Sequence, residues 1–581
     1  MKREIAMSLA RVLRKAISRA MLVAALVGAV AFVGCTDSGG TDEPDNNNTT
    51  NTPEEPNTPE PEPDKPKVEP NEVTKWVDER LQGEYYWLDI YKANIDKFDY
   101  SLEYDKFLST SLLSLTGNEM DGYTSNGTRY LYSYITREST SRAADDRMEN
   151  SFGIIIAPQY YAGDEEGTAI LIVDHVYPGS PAAEAGLVRG DLIIKVDGST
   201  IPSPTSNLQQ FFTVRDKLEY GNGSLTLEVE RMDKNLSKYL PYSLNFTSAS
   251  YDPNPVAYYS VLNIDEDIQA QIGGLNGKKI GYMVYLGFES DYDKELIEAM
   301  EQLATEGITD LILDLRMNGG GSVNSSTMLA SMILSESYVG QTYATLKRNP
   351  KNTLFPKDRL NTECLITKNG LGEFDSKDLP NLNLPELWVI ASNYTASASE
   401  MVIKGLEGLD VPVHIVGKTT NGKNCGMDVM EKVFGQYRYT YAPITFMNYN
   451  GKGDNDYADG IAPDVDFNKY YDKTNPTKDL LSYECYVFPL PRANWAEMDL
   501  IEVEDGYNFT GDFPLYETVL QICGYTTLKK TSLSMVNIKP AEMVTRAVAN
   551  RTIGEAPRVP QGRAHGATLT EAEREAIEKV R

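Results

Sequence analysis

Apolar residues fall into three successive rhythms along this chain. From residue 71 to 145, "EVTKWVDERLQGEYYWLDIYKANI" sets aromatic and aliphatic residues at mixed three and four spacings, the pattern of amphipathic helices, and predicts a small helical cap domain. Tyr85, Tyr86 and Trp87 read there as packing core, because such rings bury the largest apolar areas. From 146 to 248, short β-branched runs alternate with Gly, Pro and Asp turns, and one short helix, "SPAAEAG", interrupts them. This predicts a β-rich domain. From 255 to 466, the apolar runs "KKIGYMVYLGF", "ITDLILDLR", "ELWVIAS" and "VPVHIVGK" are separated by helical stretches such as "DKELIEAMEQLATEG", which predicts an α/β layer structure. A multi-domain α/β chain follows, with its site expected in loops at the carboxyl ends of the core strands.

The flanks follow different patterns. Lys2, Arg3, Arg11, Arg14, Lys15 and Arg19 precede the apolar run "MLVAALVGAVAFVG", which is short for a membrane span and reads as an export signal over residues 1–35. The "FVGC" that ends it resembles a bacterial lipobox, with Phe32 where Leu is usual, and this implies lipid attachment at Cys35. Residues 36–70 hold almost nothing that could be buried. Their Pro and acidic content predicts an extended tether. Acidic residues soon after the cysteine resemble export signals of Bacteroidetes lipoproteins, implying a membrane-anchored cell-envelope address, at the outer membrane and facing the periplasm or the surface. Residues 467–581 form a C-terminal extension that contains one helical stretch, "GDFPLYETVLQICGY", and another near its end, "TLTEAEREAIEKVR".

Charge narrows the partners. A formal net charge of −29 over 581 residues, with no basic stripe beyond the N-terminus, argues against nucleic acid. Cys364, Cys425, Cys485 and Cys523 lack metal-ligand spacing, so neither a metal nor another cofactor is expected.

Three core loops carry candidate chemistry. "DLRMNGGGS" follows the strand ending near Asp314, and its glycines let backbone amides approach a ligand; without a Gly-Lys-Ser ending it does not read as a nucleotide loop. "NYTASASEMVIKGLEG" follows "ELWVIAS". Ser397 and Glu400 there fit a helix capping box, yet a hydroxyl at a strand-to-helix turn also suits a nucleophile whose following amide, that of Ala398, serves an oxyanion. "GKTTNGKNCG" holds Lys423 in a tight loop. Of the three histidines, His175 and His414 lie in strands and His565 in a polar tail, so no histidine is placed to activate a serine. Lysine can act as the base when desolvation lowers its pKa, and Lys423 is the candidate.

The segment "PGSPAAEAGLVRGDLIIKVDG" closely resembles a PDZ domain. This implies a groove lined by the "SPAAEAG" helix, with Phe152, Gly153 and Ile154 as its carboxylate-binding loop and a protein's C-terminal tail as its ligand. The order PDZ, "DLRMNGGG", "TASASE", "NGK", with Lys423 placed 26 positions after Ser397, closely resembles the carboxyl-terminal processing, or tail-specific, serine peptidases over roughly residues 75–466. The resemblance implies a ClpP/crotonase-like core, Ser397 as nucleophile, Lys423 as general base, and oxyanion amides from Ala398 and Gly320, with Gly319 or Gly321 one step away. Ser399 resembles a second serine of the motif. Some relatives carry a glutamine four residues after the lysine, where Met427 stands here, leaving Glu400, Asp428 or a backbone carbonyl to orient the amine. The implied protein is a lipid-anchored serine endopeptidase acting on protein or peptide substrates with accessible C-terminal tails. Two alternatives are a catalytically silent PDZ-based peptide receptor and an enzyme of acyl-thioester chemistry.

Overall fold

The computed structural model describes residues 71–466 apart from 126–127, 140–147, 164, 234–237, 265–268, 270–273 and 370–377, together with 500–503, 506–509, 512–524 and 553–555. The export signal, Cys35, the tether, Cys485 and His565 lie outside the described residues.

Helix α1 (Glu72–Glu84) begins where the Asn71 side chain accepts the Thr74 amide at 2.8 Å, satisfying one of the donors a helix start leaves open. With α2 (Tyr104–Leu113) it closes over Trp76, Tyr85, Tyr91 and Phe107, all buried. Each such ring stabilises the module by roughly 1.5–3 kcal/mol relative to exposure. The helical reading of 71–145 holds only to Leu113. Beyond it the Thr- and Tyr-rich sequence forms a hairpin of Tyr123–Ser125 with Thr128–Tyr130, and then strand β1 (Tyr134–Ser139). β1 pairs antiparallel with Tyr437–Ala442, and the Ile444 amide donates to Ser133 Oγ at 2.9 Å. The N-terminal module is therefore stitched into the core.

In the β-rich module, β2 (Ile154–Ala162) and β3 (Thr168–Val176) pair antiparallel in a seven-stranded sheet. Ile553–Glu555 of the C-terminal extension adds to the outer edge of β2. The "SPAAEAG" helix spans only Pro181–Glu184. The helix that lies along β2 is α3 (Pro204–Tyr220): its Arg215 donates to the Ile156 carbonyl at 3.0 Å, and its Glu219 accepts the Ile156 amide at 3.2 Å. The expectation that the short helix lines the groove is thus corrected. A polar opening and a non-helical Asn207 mask α3 in the sequence.

The core is a six-stranded sheet in the order β4 (Val256–Val261), β5 (Ile280–Tyr285), β6 (Asp310–Asp314), β7 (Leu387–Ala391), β8 (Val413–Gly417), β9 (Val465–Asp466). Only β4 runs antiparallel to its neighbour. Parallel strands need both faces covered, which accounts for the continuous apolar runs. On one face, Leu311, Leu313 and Val389 pack against α4 (Asp293–Glu306), α5 (Val323–Ile333) and α6 (Ala398–Gly408). On the other, Ile312, Trp388 and Ile390 meet Leu515 and Val519 of α7 (Phe513–Ile522), a helix of the C-terminal extension. Gly307 ends α4 in the left-handed conformation that glycine tolerates best.

Candidate active site

Three loops at the carboxyl ends of β6, β7 and β8 meet at one small pocket, whose wall includes Gly321, Ser397, Ala398 and Lys423 with Met401 and Phe446. Ser397 sits between β7 and α6 at φ 57°, ψ −115°, a conformation rare for a side chain other than glycine's. The strain is held by partners on every side. The Ser397 amide donates to Glu400 Oε2 at 2.8 Å, its carbonyl accepts from Met401 at 2.8 Å, and the preceding Ala396 amide donates to the Asn318 carbonyl at 3.2 Å. Ser399 is buried and donates to that same carbonyl at 3.1 Å.

Gly320 packs directly against the nucleophile turn. A methyl group there would lie 2.7 Å from Ser397 Cβ and 2.9 Å from the Ala398 nitrogen, and its φ of +100° also demands glycine. Its amide, however, donates to Asn318 Oδ1 at 2.8 Å in a tight side-chain turn. In this arrangement the Gly320 amide expected to serve an oxyanion is therefore already engaged. Gly321, one of the expected alternatives, lines the pocket instead.

Lys423 is nearly buried, 5% exposed, in the loop between β8 and the strand Cys425–Met427. Burial holds its amine below the usual lysine range, against the opposing pull of Cys425, Asp121 and Glu400. Among the described residues no hydrogen bond joins Ser397 Oγ to Lys423 Nζ; the two share the pocket. Glu400 acts on both loops at once. Its Oε2 accepts the Ser397 amide at 2.8 Å and the Lys423 amide at 2.9 Å, while Oε1 accepts the Gly422 amide and the Thr420 hydroxyl at 2.6 Å each. Burial raises its pKa to about 6 despite these four donors. The carboxylate is therefore a clamp on the two loops, and among the described residues no hydrogen bond joins it to the lysine amine. Asp428 is turned away: Arg348 binds both of its oxygens, at 2.7 and 2.9 Å. Met427 is fully buried, part of the apolar core beneath the N-terminal module and of the pocket wall.

None of the pocket's lining residues is a histidine. His175 is buried in β3, its pKa driven down to about 3 by burial and then by Arg189, and His414 stacks on Trp388 while facing Glu386 at 3.1 Å. Phe152, Gly153 and Ile154 form a turn whose carbonyls at 152 and 153 accept the Ala182 and Tyr177 amides, and Ile154 opens β2. Among the described residues no group of three or more His, Cys, Asp or Glu side chains is placed to hold a metal ion. Cys364, Cys425 and Cys523 are buried free thiols.

Sequence reasoning missed a buried charge cluster under the glycine loop. Arg316 donates to Asp314 at 2.9 Å and pairs with Asp512, the cap of α7, at 2.8 Å. Asp314 also accepts from Tyr282 at 2.8 Å. The clue available was a charged "DLR" at the end of an apolar strand, with no visible partner.

A strained serine at a strand-to-helix turn, sharing a pocket with a buried lysine and the glycine loop, suits a serine-hydrolase type of site on an α/β core. Residues 279–467 match the model of peptidase family S41, and residues 172–231 match that of a PDZ domain. The chain is 24% identical over 290 residues to a chloroplastic C-terminal processing peptidase of Tetradesmus obliquus, covering 50% of this chain and 54% of that one. It is 26% identical over 253 residues to a carboxyl-terminal-processing protease of Synechocystis sp., covering 44% and 49%. A probable CtpA-like serine protease of Staphylococcus aureus matches at 23% over 378 residues, covering 64% and 65%. The chain thus spans about half to two thirds of the length of these curated relatives. The crystal structure of a putative S41 protease from Bacteroides fragilis shares the fold, with a TM-score of 0.52 at 23% identity over 71% of this chain and 92% of that one.

Proposed function

We propose that this protein is a serine endopeptidase of the carboxyl-terminal processing kind, working through a Ser397–Lys423 dyad. The observation that carries the reading is the strained Ser397 turn sharing one pocket with a buried lysine whose amine is shifted toward its neutral form. In the first step neutral Lys423 takes the Ser397 proton as Oγ attacks the scissile carbonyl. The oxyanion that forms accepts from the amides of Ala398 and Gly321. The protonated lysine then gives its proton to the departing amine. Water attacks the resulting ester, its proton passes to Lys423, and the serine regains a proton as the acid leaves. Glu400 holds the two loops at a fixed spacing throughout, which is worth most in a reaction that depends on position.

The β-rich module supplies selection. In this reading a substrate's C-terminal tail adds along the start of β2, short of the 159–161 stretch paired with Ile553–Glu555, and ends at the 152–154 turn, displacing the Arg215 and Glu219 contacts to Ile156. Cys35 is read as the lipid attachment point, with residues 36–70 as the tether of an envelope-anchored enzyme. A fluorophosphonate probe tests the chemistry: Ser397 is expected to become labelled, and Lys423→Ala to abolish labelling. Labelling elsewhere, or undiminished in the lysine variant, would remove the dyad. One observation favours the silent receptor instead, namely that Ser397 and Lys423 are not hydrogen-bonded to each other in this arrangement. Tail-peptide binding with no probe labelling under any condition would select it.

A further inference from the structure

A lysine amine at the end of four rotatable carbons does not hold a position unaided. A general base must be held within hydrogen-bond reach of the proton it takes. Among the described residues no carboxylate near it is hydrogen-bonded to the amine, although Asn448, whose buried Oδ1 has no hydrogen-bond partner, shares the pocket wall. Glu400 binds backbone, Asp428 binds Arg348, Met427 is apolar, and Asp121 accepts from Ser133 and Tyr85. What does lie against the Lys423 amine is an aromatic face from the N-terminal module: Nζ is 5.0 Å from the ring centroid of Tyr132.

Tyr132 is fixed from three directions. Its hydroxyl donates to Asn421 Oδ1 at 2.9 Å, and the Asn421 amide donates to the Thr395 carbonyl at 2.9 Å, tying the ring to both the lysine loop and the nucleophile loop. The next residue, Ser133, is anchored to Ile444 and Asp121. On the N-terminal side, Tyr123 stacks on the Tyr132 ring with centroids 5.9 Å apart. Resting on the dyad reading, we propose that Tyr132 is the positioning residue for Lys423: its ring covers the amine, keeps water from it and steers it toward Ser397. A segment outside both the peptidase and the PDZ domain would then complete the catalytic site.

The ring has two opposing effects on the amine. Its face attracts the ammonium form, by about 0.5–2 kcal/mol for such contacts. Its bulk also excludes water, and full burial lowers lysine pKa values by up to about 3–5 units. We take the second effect to dominate, because Lys423 is only 5% exposed and loss of the ring opens that side of the amine to water. The ionisable groups acting on the amine are Cys425, Asp121 and Glu400, and each favours the ammonium form. Uncovering the amine should therefore raise its pKa, lower the neutral fraction near pH 7, and move the ascending limb of the rate profile upward.

The experiment uses the full chain with Tyr132→Phe and Tyr132→Ala. Two readouts are followed against pH: acylation of Lys423 by acetic anhydride, located by peptide mass spectrometry in a Ser397→Ala background, and kcat for cleavage of an unfolded protein. Tyr132→Phe keeps the ring and is expected to leave both midpoints in place. Tyr132→Ala is expected to raise both by about 1 pH unit and to lower kcat at pH 7 about tenfold, with KM within about twofold. If thermal melting shows that the alanine variant does not fold, Tyr132→Leu substitutes for it, with a smaller shift in the same direction. Unchanged midpoints in the alanine or leucine variant overturn the proposal, as does a phenylalanine variant that behaves like alanine. Failure of the dyad itself looks different: the native chain would cleave nothing, whatever the acylation midpoint of Lys423 does.

Discussion

Ser397 and Lys423 donate their backbone amides to one and the same atom, Glu400 Oε2, at 2.8 and 2.9 Å. The nucleophile turn and the base loop are thus set at a spacing fixed by a single buried carboxylate, which also takes Gly422 and Thr420 on its other oxygen.

That carboxylate gives a pH signature. Its folded pKa, about 6, lies above the unfolded carboxylate value, so the folded state binds the proton more tightly and this group's contribution to stability is lost as pH rises through about 4.5 to 6. Glu400→Gln should lack that component in a series of thermal melts across this window. At neutral pH it should also be less stable by about 2–4 kcal/mol, because an amide cannot accept from four donors. Its kcat should fall with KM nearly unchanged.

Gly320 tolerates no side chain. Gly320→Ala places a methyl 2.7 Å from Ser397 Cβ and from the Ala396 carbonyl at a φ of +100°. Urea denaturation should show a loss of about 2–4 kcal/mol, and probe labelling of Ser397 should slow. A variant with native stability and native labelling would mean that the loop relaxes without consequence.

The C-terminal helix should matter to the site although it lies beyond the peptidase domain match. Asp512→Ala removes one of the carboxylates paired with buried Arg316 and the α7 cap at Leu515. Urea denaturation is expected to give a loss of about 3 kcal/mol. Because Arg316 opens the glycine loop, cleavage should fall too, and an unaffected rate would show that the loop does not depend on the Arg316–Asp512 pair.

Much of this arrangement is legible from the sequence where the signal is local. The apolar runs of β5 to β8 give the layer structure, and glycine, serine and lysine at three strand ends give the pocket. What stays hidden depends on partners distant in the chain. Glu400 reads as a helix cap because its contact with Ser397 is three residues long, whereas its hold on Thr420 to Lys423 appears only in three dimensions. Asn318 looks like a loop residue until its side chain takes the Gly320 amide. Tyr132 and Asp512 come from opposite ends of the chain, and no periodicity links either to Lys423 or Arg316. The second half of the N-terminal module was hidden for another reason: a few aromatic residues at helical spacing set the expectation for a segment whose Thr and Tyr content favours strands.

The most direct test of the dyad is proteolysis of an unfolded protein by the full chain, beside Ser397→Ala and Lys423→Ala, with tail-peptide binding followed in all three. The account predicts cleavage by the native chain alone and equal tail binding by all three. Cleavage that survives either substitution, or a native chain that binds tails and cuts nothing, would contradict it.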